Sequence, residues 1–99
     1  MERLEILLAE IEKVSYTGNK ICLHELIEKL NELIYYLEAQ GPESDKALLH
    51  IQACCWMLYE DKHTATDEKR FLTFYYIKDK AFRACATLFK QNHKERTAA

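Results

Sequence analysis

The chain is expected to fold as a small all-α domain of four helices, set either as two stacked, tetratricopeptide-like helical hairpins or as an antiparallel four-helix bundle. Three observations lead there. Apolar residues recur at three- and four-residue spacing over four long stretches, the period of a helix buried on one side. Two Gly and one Pro among 99 residues are too few to turn the chain of an all-β fold. All three fall between the periodic stretches, leaving short connections of the kind that join antiparallel neighbours.

The first helix is predicted over Glu2 to about Tyr16, with Leu4, Leu7, Leu8, Ile11 and Val14 on one stripe. Thr17-Gly18-Asn19 ends it, because Gly tolerates the left-handed backbone at a helix terminus and Asn19 can cap the next start. The second runs from Lys20 to Gln40, with Leu23, Leu26, Ile27, Leu30, Leu33, Ile34 and Leu37 opposite Glu25, Glu28 and Glu32. Gly41-Pro42 stops it. The third begins near Glu43 or Ser44 and reaches about Asp61, with Leu48, Ile51, Cys55, Leu58 and Tyr59 on one face and Leu49, Ala53 and Trp56 on another. A helix apolar on two faces is expected to be buried on more than one side. The fourth follows Thr66, its predicted cap, with Asp67 and Glu68 at the positive end of the helix dipole. Its stripe reads Phe71, Phe74, Tyr75, Phe82, Cys85 and Phe89, with Lys78 in the middle. Residues 1–91 thus make one helical domain, and 92–99 a polar C-terminal tail expected to fray.

Composition narrows the function. There is no apolar run of about 18 residues, and the acidic, amphipathic start is unlike a signal peptide, so a soluble cytoplasmic protein without membrane insertion is expected. Cys22, Cys54, Cys55 and Cys85 lack any regular metal-site spacing and read as reduced, buried thiols. The net charge of −2 hides an asymmetry: residues 1–45 hold ten acids against four bases, and residues 46–99 six acids against ten bases. Such halves suit mutual attraction or a face tuned to a charged partner. Nucleic-acid binding is not expected, since Lys69, Arg70, Lys78, Lys80, Arg83 and Lys90 scatter around the fourth helix instead of lining one face.

Chemistry-bearing constellations are sparse. Glu60 and His63 have the ExxH spacing of di-iron bundles, but only once and at a helix end. His50 and Cys54 share a face, and a zinc site could be drawn from them with Cys22 and Cys85, although structural zinc takes its ligands in close-spaced pairs on turns. With no Gly-rich phosphate loop and no paired acid and base, the expectation is a non-enzyme with no cofactor and no metal.

Apolar surface is in surplus. Beyond the second face of helix three, Ile6, Tyr35, Tyr36, Leu72 and Tyr76 fall off the main stripes. Either helix three is the central helix of the domain, or a contiguous patch around Trp56 marks a partner site, where aromatic residues are enriched. The candidate partner-binding residues are Leu49, Ala53 and Trp56 on helix three, with Tyr76 and Lys78 on helix four. Lys78 is expected either to carry its ammonium out to water or to meet a partner carboxylate.

Residues 7–22, LLAEIEKVSYTGNKIC, resemble the opening of the small tetratricopeptide-like chaperones of type III secretion needle subunits, where an LLAEI-type helix leads through a TGN-type turn to a second amphipathic helix. Ala47-Leu-Leu-His-Ile-Gln continues the resemblance loosely. From the first helix start to the third is about 41 residues, against roughly 34 in a tetratricopeptide repeat, and no binding residue is carried over. The resemblance implies a chaperone that sequesters an amphipathic helix of a secretion-system client in a groove between helical hairpins. Two other classes fit the residues: a stand-alone four-helix inhibitor or immunity-type protein acting by surface charge, and a homodimer pairing the second face of helix three with its copy.

Overall fold

A computed structural model describes the backbone of residues 2–18, 20–64 and 66–98, and the side chains of 2–18, 20–63 and 66–88. Four helices follow in order: α1 (Glu2–Lys13), α2 (Lys20–Glu38), α3 (Asp45–Thr64) and α4 (Asp67–Ala98), with a 3-10 turn at Pro42–Ser44 ahead of α3. There is no strand among the described residues. Gly18 (φ 80°) and Gly41 (φ 93°) both take the positive φ that side chains resist, which is why these two positions end α1's connection and α2. The Asn19 cap lies outside the described residues. At α4 the expected cap forms, with the Lys69 backbone N–H donating to Thr66 Oγ1 at 3.3 Å.

Chain neighbours are also spatial neighbours, each pair antiparallel. Asn31 of α2 meets Cys55 of α3, and Ile27 and Ile34 of α2 line one groove with Gln52 and Tyr59 of α3, joined by a short connection that reverses the chain. Asp61 near the end of α3 pairs with Lys69 near the start of α4, while Lys46 and Thr87 share a pocket at the other end. α4 then closes back on α1: Tyr16 reaches Asp67, and Lys78 reaches Glu12 and Val14. Of the two expected arrangements, this is the antiparallel four-helix bundle. Its 32-residue α4, about 48 Å long at 1.5 Å per residue, spans the 50 Å length of the molecule. The segment expected as a tail is a helical continuation of α4 in its backbone as far as Ala98.

One core takes side chains from every helix: Leu4, Leu7, Leu8 and Ile11; Leu23, Leu26, Leu30, Leu33 and Leu37; Ile51, Cys54 and Leu58; Phe74, Ile77, Ala81, Cys85 and Leu88. On α1 and α2 these are the predicted stripes. On α4 the phase differs. Phe74 and Cys85 are buried as expected, but Phe71, Tyr75 and Phe82 are exposed, and the core line runs through Ile77, Ala81 and Leu88. Phe74, Ile77, Ala81, Cys85 and Leu88 follow one another at three- and four-residue spacing, and the rings of Phe71, Tyr75 and Phe82 lie on the neighbouring flank.

α1 is also shorter than predicted, and the reason lies on α4. After Lys13 the chain leaves the helix, and Val14 and Tyr16, two residues apart in the connection that follows, both pack against the bundle. Val14 is buried, and the Tyr16 ring meets Phe71 and Phe74 edge-on at centroid distances of 5.4 and 5.5 Å. The Tyr16 hydroxyl donates to the Asp67 carbonyl at 3.2 Å. The carbonyls that the ended helix leaves without partners are taken by Lys78, whose Nζ donates to Glu12 O and Val14 O, each at 2.8 Å.

Candidate partner-binding surface

On α3 the buried line is Ala47, Ile51, Cys54, Leu58 and Asp61, at three- and four-residue spacing. The opposite face carries Leu49, Ala53 and Trp56, again at helical spacing, and all three are exposed. Trp56 has 71% of its surface open and Leu49 67%. The expectation that α3 would be covered on both faces is corrected here: α2 and α4 flank its inner face and nothing described covers its outer one.

The outer face falls away to a groove on the α2 side. Ile27 and Ile34, both half-buried, form the α2 wall; Cys55 lies between the helices; Trp56 and Tyr59 stand on the α3 rim. Asn31 and Gln52 are the polar groups of this otherwise apolar groove. The Tyr59 ring is steadied edge-on by His63 at 5.1 Å. Ile27 and Ile34 lie on the predicted apolar face and pack against the core, while Asn31, between them on the same helical line, marks that edge as wet.

Tyr76 is exposed and shares a face of α4 with Lys80 and Arg83, four and seven residues on, which line the junction with α3. It therefore belongs to the α3 side of the molecule, with Leu72, also exposed, one turn before it. Lys78, only two residues further, points some 200° around the helix at about 100° per residue. It is 8% exposed, and its ammonium, besides the two carbonyls, lies 5.6 Å from the ring centroids of Phe74 and Tyr75. Neither expectation for Lys78 is met: it neither extends to water nor stands ready for a partner carboxylate, and it is not on the surface of Leu49, Ala53, Trp56 and Tyr76.

The thiols are unreactive by environment. Cys22, Cys54 and Cys85 are buried and Cys55 half-buried, and none is in a disulfide. Burial pushes the Cys55 and Cys85 thiols up to about 11 and the Cys54 thiol upward, so the thiolate is scarce near neutral pH. Among the described residues no three His, Cys, Asp or Glu side chains are grouped to hold a metal ion. No described helix is long and apolar enough to cross a membrane.

No known protein family, no curated protein and no solved structure matches this chain. The function must be read from the surface itself.

Proposed function

We propose that this protein is a non-enzymatic helical binding protein that takes an amphipathic helix of another protein along α3, with the apolar stripe of that helix entering the groove between α2 and α3. The observation that carries the reading is Trp56, the single tryptophan, open over 71% of its surface on the rim of an apolar groove. Burying such a side chain removes a large apolar area from water, and tryptophan is among the residues that dominate interface energies. A helix laid in the groove would meet Ile27, Ile34, Trp56 and Tyr59, while Leu49 and Ala53 extend the contact along α3. The client class is a secretion-system subunit kept from self-assembly in the cytoplasm before export, as the resemblance of residues 7–22 implies.

The test is a photo-crosslinking amino acid at position 56, activated in the cell that makes the protein. Adducts to a second protein through an amphipathic helix are expected, lost when Ile34→Asp spoils the facing wall. Adducts only to further copies of this chain, with a dimer in sedimentation, would replace the reading with self-association.

One observation favours a second reading. The bundle closes, α4 returning to α1 through Tyr16 and Lys78, as a rigid inhibitor or immunity-type protein would need. Binding through surface charge weakens steeply with salt, whereas binding through the Trp56 groove changes little.

A further inference from the structure

We propose that the depression between α3 and α4, at the N-terminal end of α3, is a binding site for a phosphate or phosphoryl dianion. Two helices deliver basic side chains to it from opposite sides: Lys46 and His50 from α3, Lys80 and Arg83 from α4. Ala84 and Thr87 complete the lining, and no acid is part of it. Seen on α4 alone these cations look dispersed; the antiparallel register with α3 is what brings them together.

Neither Lys46 nor Lys80 is engaged in a hydrogen bond or ion pair with the described residues. Asp79 Oδ2 holds Arg83 Nε at 2.9 Å, which fixes one edge of the guanidinium and leaves the terminal nitrogens to donate elsewhere. Neighbouring cations raise one another's energy, and a dianion between them reverses the sign of that interaction. The site lies beside the first two turns of α3, the positive end of that helix, which adds to the same preference. The Thr87 hydroxyl is already spent on the Ala84 carbonyl at 3.2 Å, so recognition falls to the basic side chains.

The chemistry of the lining narrows the ligand. The depression is open to solvent on one side and has room for a small oxyanion between the two helices. Lysines supply point charge and the arginine fork supplies directed donors, the combination that suits a compact tetrahedral oxyanion. The dianion has two sources, free phosphate or the phosphoryl end of a small ester, and both place the same group in the site.

His50 provides the readout. The imidazole signals of the whole protein are followed by NMR at pH 7, with His50→Gln assigning the resonance, as inorganic phosphate replaces chloride at constant ionic strength. A saturable shift of His50, with His24 and His63 unmoved, is expected. The double variant Lys80→Ala/Arg83→Ala should weaken the phosphate affinity at least about tenfold, since each charged hydrogen bond carries about that factor. Helix content by circular dichroism must stay unchanged in that variant; if it falls, Lys46→Gln on the exposed first turn of α3 makes the comparison. A second titration with glycerol 2-phosphate separates the sources: the same saturation means that an ester is accepted, and saturation by inorganic phosphate alone means the free ion. Shifts that never saturate, that move the His24 and His63 imidazoles as much as that of His50, or that survive the variants would overturn the proposal.

Discussion

Lys78 and Trp56 stand out at the scale of single residues because each occupies the place where the other type of residue would be expected. The lysine is buried and the tryptophan is open. Lys78 Nζ satisfies two carbonyls at the end of α1, and the Val14 bond is fully buried. Lys78→Met keeps the aliphatic stem but removes both bonds and leaves two carbonyls short of a donor. It should lower stability by about 2–4 kcal/mol, as an earlier urea midpoint with unchanged slope. An unchanged midpoint would show that water replaces the ammonium at no cost. Trp56→Ala should do the reverse, lowering stability by less than about 0.5 kcal/mol because little of the ring is packed. The same change should cost about 2 kcal/mol or more in partner binding, the scale of an interface hot spot, measured by titration calorimetry with the crosslinked partner. A loss of about 3–5 kcal/mol of stability would instead identify a core ring. That Trp56 shares a face with Leu49 and Ala53 was legible, but whether that face is covered was not, because a second apolar face suits a central helix as well as a partner site. The role of Lys78 was not, because its acceptors are backbone carbonyls more than sixty residues away and any residue type could have supplied them.

Among the elements, α1 and α2 could be read almost residue by residue and α4 could not. On α2 the leucines alternate with glutamates, so only one face can be buried. On α4 apolar residues occupy both the core line of Phe74, Ile77, Ala81 and Cys85 and the flank of Phe71, Tyr75 and Phe82, and composition does not say which of the two is buried. Packing against α3 decides that, and the period does not record it. The ends of the helices were clearer where chemistry marks them. Thr66 is exposed, and its hydroxyl accepts from the Lys69 N–H while its carbonyl accepts from the Arg70 N–H at 2.9 Å. Thr66→Ala should therefore cost about 1 kcal/mol, and Thr66→Ser or Thr66→Asp should restore most of it. Thermal melts of the three variants check this; equal melting of Ala and Ser variants would mean that the cap does not hold α4. The early end of α1 had no such mark, because Val14 continues the helical spacing of Leu7 and Ile11 and no helix-breaking residue comes before Thr17-Gly18.

For the whole molecule, the charge asymmetry between the halves suggested attraction across the middle, yet the ion pairs identified among the described residues lie within each half. Lys29 meets Glu10 and Glu32, Lys69 meets Asp61, and Arg83 meets Asp79. The halves are joined by the apolar core and by the contacts of Lys78 and Tyr16, which leaves the acidic front and the basic depression on α3 and α4 free for other charges. Several groups across this assembly share one pH response. Burial raises the Cys55 and Cys85 thiols to about 11 from an ordinary 9.0, and desolvation raises the Tyr16 hydroxyl. An acid whose folded pKa is raised releases its proton first from the unfolded chain, so stability falls once pH exceeds the unfolded value. Lys29 acts in the same direction by the opposite route: its hydrogen bond to Glu10 holds its pKa up, and that stabilisation is lost as pH rises through the folded value. The contribution of these groups should be flat from pH 7 to 9 and decline between about 9 and 11, read from urea midpoints under reducing conditions. General repulsion in a chain growing more negative would give a similar fall, so the discriminating measurement is the slope in Cys85→Ala and Cys55→Ala. Each substitution removes one raised thiol and should flatten the decline, whatever it does to the midpoint at pH 7. Slopes identical to that of the parent would assign the loss to overall charge instead of to thiols held protonated by the core.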